Sequence, residues 1–109
     1  MKIIEKEIQI KENKNLDPGS VFFDIETTGF SRQTARIYLI GTLEIKEDSN
    51  IFRQYLTETQ ADEKVLLKKF LDQIKSKDKL ISFNGDSFDL PFIKARCDKY
   101  KIDCKILDN

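Results

Sequence analysis

The chain has 109 residues, 39% hydrophobic and 35% charged, with 19 basic and 19 acidic side chains and a pI near 6.3. This length makes one domain, and the balanced charge excludes a nucleic-acid partner held by bulk positive potential, leaving only a local site or a bound metal. There is no histidine, so the common zinc sites and Ser-His-Asp or Cys-His catalysis are excluded within this chain.

Residues 2–10, KIIEKEIQI, alternate loosely and predict a leading strand. Charge runs through their apolar residues, so they form neither a signal peptide nor a membrane span. A turn cluster follows, strongest at Asp17-Pro18-Gly19. Residues 21–27, VFFDIET, are rich in β-formers and close at Gly29. Residues 36–46 and 50–56 predict two strands joined by the polar turn EDSN.

The period then becomes helical, with Leu67, Phe70, Leu71 and Ile74 on one face and a Thr59/Asp62 capping arrangement at the start. The lysines of this region, Lys64, Lys68, Lys69, Lys75, Lys77 and Lys79, are balanced by Asp62, Glu63, Asp72 and Asp78 and read as a solvated face. KLISF (79–83) predicts a short buried strand. A second helix over 88–101 sets Leu90, Ile93, Cys97 and Tyr100 on one stripe, with Pro91 tolerated in its first turn. DCKIL (103–107) predicts a last strand. Cys97 and Cys104 read as isolated core thiols, which suits a reducing, cytoplasmic setting.

This order is an antiparallel group of three strands joined to a parallel βαβ half. It is a mixed α/β sheet whose parallel strands are expected at the centre, covered by helices on their faces.

Two stretches carry chemistry. In VFFDIETTG, residues two apart in a strand share a face at about 6.6 Å spacing, so Asp24 and Glu26 project together near the strand's carboxyl end. Ligands bind at that end in α/β sheets. Close carboxylates repel unless a cation intervenes, and an oxygen-only donor set suits Mg²⁺ or Mn²⁺. An edge strand with its acids in solvent would present the same pattern. In FNGDSFDLPF, Asn84-Gly85 is a tight turn after the strand, and Asp89 falls at a helix start. Alone, Asp89 also reads as a helix cap, a role worth about 1 kcal/mol.

Together these stretches resemble the first two motifs of the DEDD superfamily of 3′–5′ exonucleases: an apolar strand ending in Asp-x-Glu-Thr, then an apolar strand, Asn-Gly and Phe-Asp before a helix. The pattern is most similar to the YprB-like branch of ribonuclease H-like domains, through Phe23 to Gly29, Ile37 to Gly41, Asn84-Gly85, Ser87 to Phe92 and Arg96. The proofreading domain of family B DNA polymerases is similar over residues 83–102. The resemblance implies a single ribonuclease H-like domain over residues 1–109 and a two-metal phosphodiesterase acting on the 3′ end of DNA or RNA. It implies Asp24, Glu26 and Asp89 as metal ligands and catalytic residues. Thr27, Thr28 and Gly29 would lie against the terminal nucleotide, and Asn84 and Phe88 would touch the substrate strand.

The family pattern requires a fourth acid, an aspartate on a later helix behind a tyrosine or histidine, and no such arrangement follows Asp89. Asp98, Asp103 and Asp108 do not occupy its place. The expectation is therefore a domain that stops before the third motif, lacking a C-terminal helix. An apolar sheet face would be left open for a second copy or a partner domain. A catalytically silent module that binds nucleic acid or protein is the other function class this pattern allows.

Overall fold

The computed structural model describes residues 1–9, 17–83 and 87–108. Its elements run β1 (Lys2–Gln9), β2 (Ser20–Thr27), β3 (Ile37–Ile45), β4 (Ser49–Leu56), α1 (Asp62–Ile74), β5 (Lys79–Ser82), α2 (Asp89–Lys99) and a 3₁₀ turn over Lys105–Asp108. The strands form one sheet in the order β1-β4-β3-β2-β5. The β2–β3, β3–β4 and β1–β4 pairs are antiparallel, and β2–β5 is parallel, with Phe23 opposite Ser82.

Strand alternation sorts the sheet into two faces. Val21, Phe23 and Ile25 of β2 are buried beneath both helices, with Ile40 and Tyr55 from the neighbouring strands. Leu66, Leu67, Phe70, Leu71 and Ile74 of α1 meet them, and Phe92, Ile93 and Cys97 of α2 complete the core. The Phe23 and Phe70 rings lie 5.6 Å apart across the layer. Burial pushes the Cys97 thiol up to about 12, so it is an inert core residue. Cys104 is only half-buried.

The other face carries no helix among the described residues. By register it presents Phe22, Asp24 and Glu26 beside Leu39, Gly41 and Leu43, then Phe52 and Gln54, with Ile81 on the β5 side. Among the described residues this face is uncovered by a helix, and the two acids stand on it.

Gly19 has a structural reason. Its φ is +90°, and a Cβ there would meet Asp78 Oδ2 at 2.7 Å. Its amide donates to Ile45 O at 3.0 Å and its carbonyl accepts from Asp78 N at 3.1 Å, so the turn before β2 binds β3 and β5 together.

Four expectations change. Residues 105–108 form a 3₁₀ turn rather than a strand: Leu107 N bonds back to Cys104 O, and Asp103 Oδ1 caps Lys105 N. Such local bonds compete with a sheet ladder. The parallel pair is accordingly neither central nor buried as expected, because β5 is an edge strand whose residues are half-buried or exposed, and both helices cover the same face. At the start of α1 the capping runs one way only: Asp62 Oδ2 accepts from the Glu58 and Thr59 amides at 2.9 and 3.1 Å. The residue preceding the helix is Ala61, whose side chain caps nothing. Finally, Glu63 is not on a solvated face; it is fully buried.

Candidate active site at the carboxyl end of the second strand

Asp24 and Glu26 lie on the open face, opposite Gly41 and Leu39 of β3. Both line a cavity of about 340 Å³ with Gly41, Leu43, Phe52 and Phe83 among its walls. A Cβ on Gly41 would meet nothing within 4 Å, so this glycine keeps the space beside Asp24 clear. Phe83 is 61% exposed and stacks on Phe22 with ring centroids 5.5 Å apart, giving the cavity an aromatic wall.

Sheet pairing explains where β2 is freed for chemistry. Phe83 N donates to Phe23 O at 3.0 Å, and β5 then ends. The next amide on that edge, Ile25 N, is bonded at 3.0 Å by Asp24 Oδ1. One oxygen of the first acid is thus fixed by the backbone.

Asp89 begins α2 and is fully buried. Ser82 Oγ, from the end of β5, donates to its Oδ2 at 3.0 Å. Its Oδ1 is buried with no hydrogen-bond partner among the described residues. Burial raises the Asp89 pKa from its ordinary value, and the negative charges of Asp24 and Glu26 raise it further; the Ser82 hydrogen bond and, more weakly, the Ile25 amide oppose them. The three carboxylates are thus near enough for the charges of Asp24 and Glu26 to act on Asp89. They are not drawn into one ligating group, since no three His, Cys, Asp or Glu side chains among the described residues are set to hold an ion.

The donor set nevertheless fits a hard divalent cation. It is all oxygen, it carries mutual repulsion that a cation would relieve, and it includes a buried carboxylate oxygen without a donor.

Thr27 ends β2, and the loop after it opens with Thr28 and Gly29. Thr27 Oγ1 donates to Gly29 O at 2.7 Å, Thr28 N donates to Arg36 O at 2.9 Å, and Thr28 Oγ1 accepts from Arg36 N at 3.0 Å. The two threonines thus close the loop as a turn. Phe30 at its tip is 91% exposed. Phe88 is partly buried against Phe92, with ring centroids 5.4 Å apart, at the rim of the core. Asn84 lies outside the described residues.

Two residues hold this loop: Glu63, whose role escaped the sequence reading, and Arg96, which was named there as part of the motif without a role. Glu63 Oε2 accepts from Ile37 N at 2.8 Å where the loop re-enters the sheet, and Glu63 pairs with buried Arg96. Arg96 Nη1 in turn donates to the carbonyls of Arg32 and Gln33 at 3.2 and 3.4 Å. Glu63 sits within a run of charge and shows no signal of its own; only its partner, four residues before Tyr100 on α2, reveals its role.

Residues 21–108, nearly all of this architecture, match the model of the RNase H superfamily. The chain belongs to that superfamily. It is 34% identical over 85 residues, 77% of its length, to the uncharacterized protein YprB of Bacillus subtilis, of which it covers 20%. It is also 41% identical over 49 residues to a DNA polymerase of Methanocaldococcus jannaschii, and 45% identical over 47 residues to one of Thermococcus hydrothermalis. Those matches cover 45% and 41% of this chain and 3% of each polymerase. The chain thus spans about a fifth of YprB and far less of the polymerases. No helix among its described residues is long and apolar enough to cross a membrane.

Proposed function

We propose that this domain is of the metal-dependent 3′–5′ exonuclease type, cutting phosphodiester bonds at the ends of DNA or RNA. The observation that carries the reading is the electrostatic grouping of Asp24, Glu26 and Asp89 where β2 loses its partner β5. Superfamily membership and the likeness to DNA polymerases support a nuclease-type fold.

In this reading Asp24, Glu26 and Asp89 hold Mg²⁺ or Mn²⁺. When bound, such ions neutralise phosphate charge and lower the pKa of water. The chain's own residues do the rest. Asp24 is oriented by the Ile25 amide, and Asp89 is oriented by Ser82. The Thr27–Gly29 turn stands beside the acids and offers backbone and hydroxyl groups to the terminal sugar and phosphate. Phe83 gives a base an exposed aromatic face on which to stack.

The test is to incubate the protein with single-stranded DNA and RNA and Mn²⁺, with Asp24→Ala as control. Nucleotide release by the native chain and none by the variant supports the reading. Equal release from both refutes it. Saturable binding without release assigns the chain to the silent, nucleic-acid-binding class.

A further inference from the structure

Arg36 ends the loop that carries Thr28, and its backbone is pinned to Thr28 through both its amide and its carbonyl. Its side chain is differently placed from the other inward arginines. Arg96 is paired with Glu63, and Arg53 with Glu5. Arg36 Nε is shielded from water and has no acceptor among the described residues. A charged donor shielded from water without an acceptor is costly to the fold, so such a group calls for a partner.

This guanidinium borders a cavity of about 120 Å³ between the loop, α1 and α2. Lys99, Gln60 and Thr34 also line it, so a second cation and neutral donors converge there. One acid is in the wall, Glu63, and its charge is already used. Its Oε1 accepts from Arg96 Nη2 at 2.6 Å and Tyr100 Oη at 2.5 Å, and its Oε2 accepts from Arg96 Nε at 2.8 Å and Ile37 N. The Glu63–Arg96 pair is therefore electrically closed, and Arg36 and Lys99 set the sign of the cavity. An adjoining wider cleft adds Arg32 and one acid, Asp98.

We propose that this cavity is a phosphate-oxyanion site, with Arg36 as its principal ligand and Lys99 as its second charge. A guanidinium presents its donors in a rigid fork that matches phosphate oxygens. The ligand is either a free phosphate or a phosphodiester of a nucleic-acid strand. Binding there requires nothing of Asp24, Glu26 or Asp89, so the site stands or falls independently of hydrolysis at the acids.

The experiment follows the arginine Nε–Hε resonances of the ¹⁵N-labelled protein during titration with inorganic phosphate, at ionic strength held constant with chloride. The Arg36 resonance should shift saturably while that of Arg53 stays put. Arg36→Gln should weaken phosphate binding about tenfold, the loss of one charge-assisted contact. Lys99→Gln, at an exposed position that cannot disturb the fold, should weaken it in the same direction. A second titration uses a short single-stranded oligonucleotide without terminal phosphates. If it moves the same resonance, the natural ligand is a backbone phosphodiester; if only inorganic phosphate does, it is a free anion. A shift of Arg36 no larger than chloride produces, or phosphate binding equal in the native chain and in Lys99→Gln, overturns the proposal.

Discussion

Glu63 on the first turn of α1 and Arg96 on α2 form a two-pronged ion pair at 2.6 and 2.8 Å, with both side chains nearly out of reach of water. The same two residues hold the loop after β2, at Ile37 through Glu63 and at Arg32 and Gln33 through Arg96. Removing one member strands a buried charge, which costs about 3–5 kcal/mol, whereas replacing both with apolar side chains is far milder. Glu63→Ala is therefore expected to lose that much stability in urea denaturation, and the Glu63→Met/Arg96→Met pair to lose less than the single change.

Acid stability should report the carboxylates at the start of α1. The Glu58 amide, the N-terminal amine and the Thr59 amide together hold the Asp62 carboxyl down to about 2. For Glu63, burial alone would raise the pKa, but Arg96, Tyr100 and the Ile37 amide outweigh it and hold it below the usual value. A depressed folded pKa contributes stability that is complete above the unfolded pKa and is lost as pH falls toward the folded one. Melting temperature should decline as pH drops from about 4 toward 2, within the ordinary carboxylate range. Asp62→Asn should flatten that decline; an unchanged slope counts against the assignment.

At the candidate site the sign is reversed. Asp89 has a raised pKa, so the folded state favours its protonated form and its ionisation at neutral pH opposes folding. Asp89→Asn keeps an acceptor for Ser82 and removes the charge, so it should raise the melting temperature by a few degrees without metal. A shift of about 1 kcal/mol moves a domain of this size by about 4–8 °C. Millimolar Mn²⁺ should stabilise the native chain by binding only its folded state and should do less for the variant. Identical Mn²⁺ effects in both would separate Asp89 from the metal.

Gly41 gives a test of the cavity that does not touch the acids. A side chain there has open space to enter and a backbone conformation without positive φ. Valine in a strand interior recovers the stability a glycine gives up, about 0.5–1 kcal/mol. Gly41→Val should therefore be as stable as the native chain or more so, yet lose nucleic-acid binding or turnover by filling the space beside Asp24. Full activity in a stable variant would place the substrate elsewhere.

The open face predicts association. Phe22, Leu43 and Phe52 share it with Phe83 and Ile81, and contiguous apolar surface of this kind drives contact between molecules. Sedimentation at high concentration should detect self-association that Phe52→Lys reduces. A monodisperse monomer across the range would refute it.

The sequence alone determined the element order from β1 to α2, the core stripe of α1 and the placing of Asp24 and Glu26 on one face. These follow from the periods of 2 and 3.6, which are local properties of the chain. The motifs around Asp24 and Asp89 also carried the superfamily likeness. Tertiary structure decided the rest. Whether residues 103–107 pair as a strand depends on bonds made by Asp103 and Cys104, and the edge position of β5 follows from strand partners that no period encodes. Glu63 looked like one more solvated charge until Arg96, 33 residues away, came to meet it. A buried charge is tolerated only where the fold supplies its partner, and a partner that distant is visible only in three dimensions.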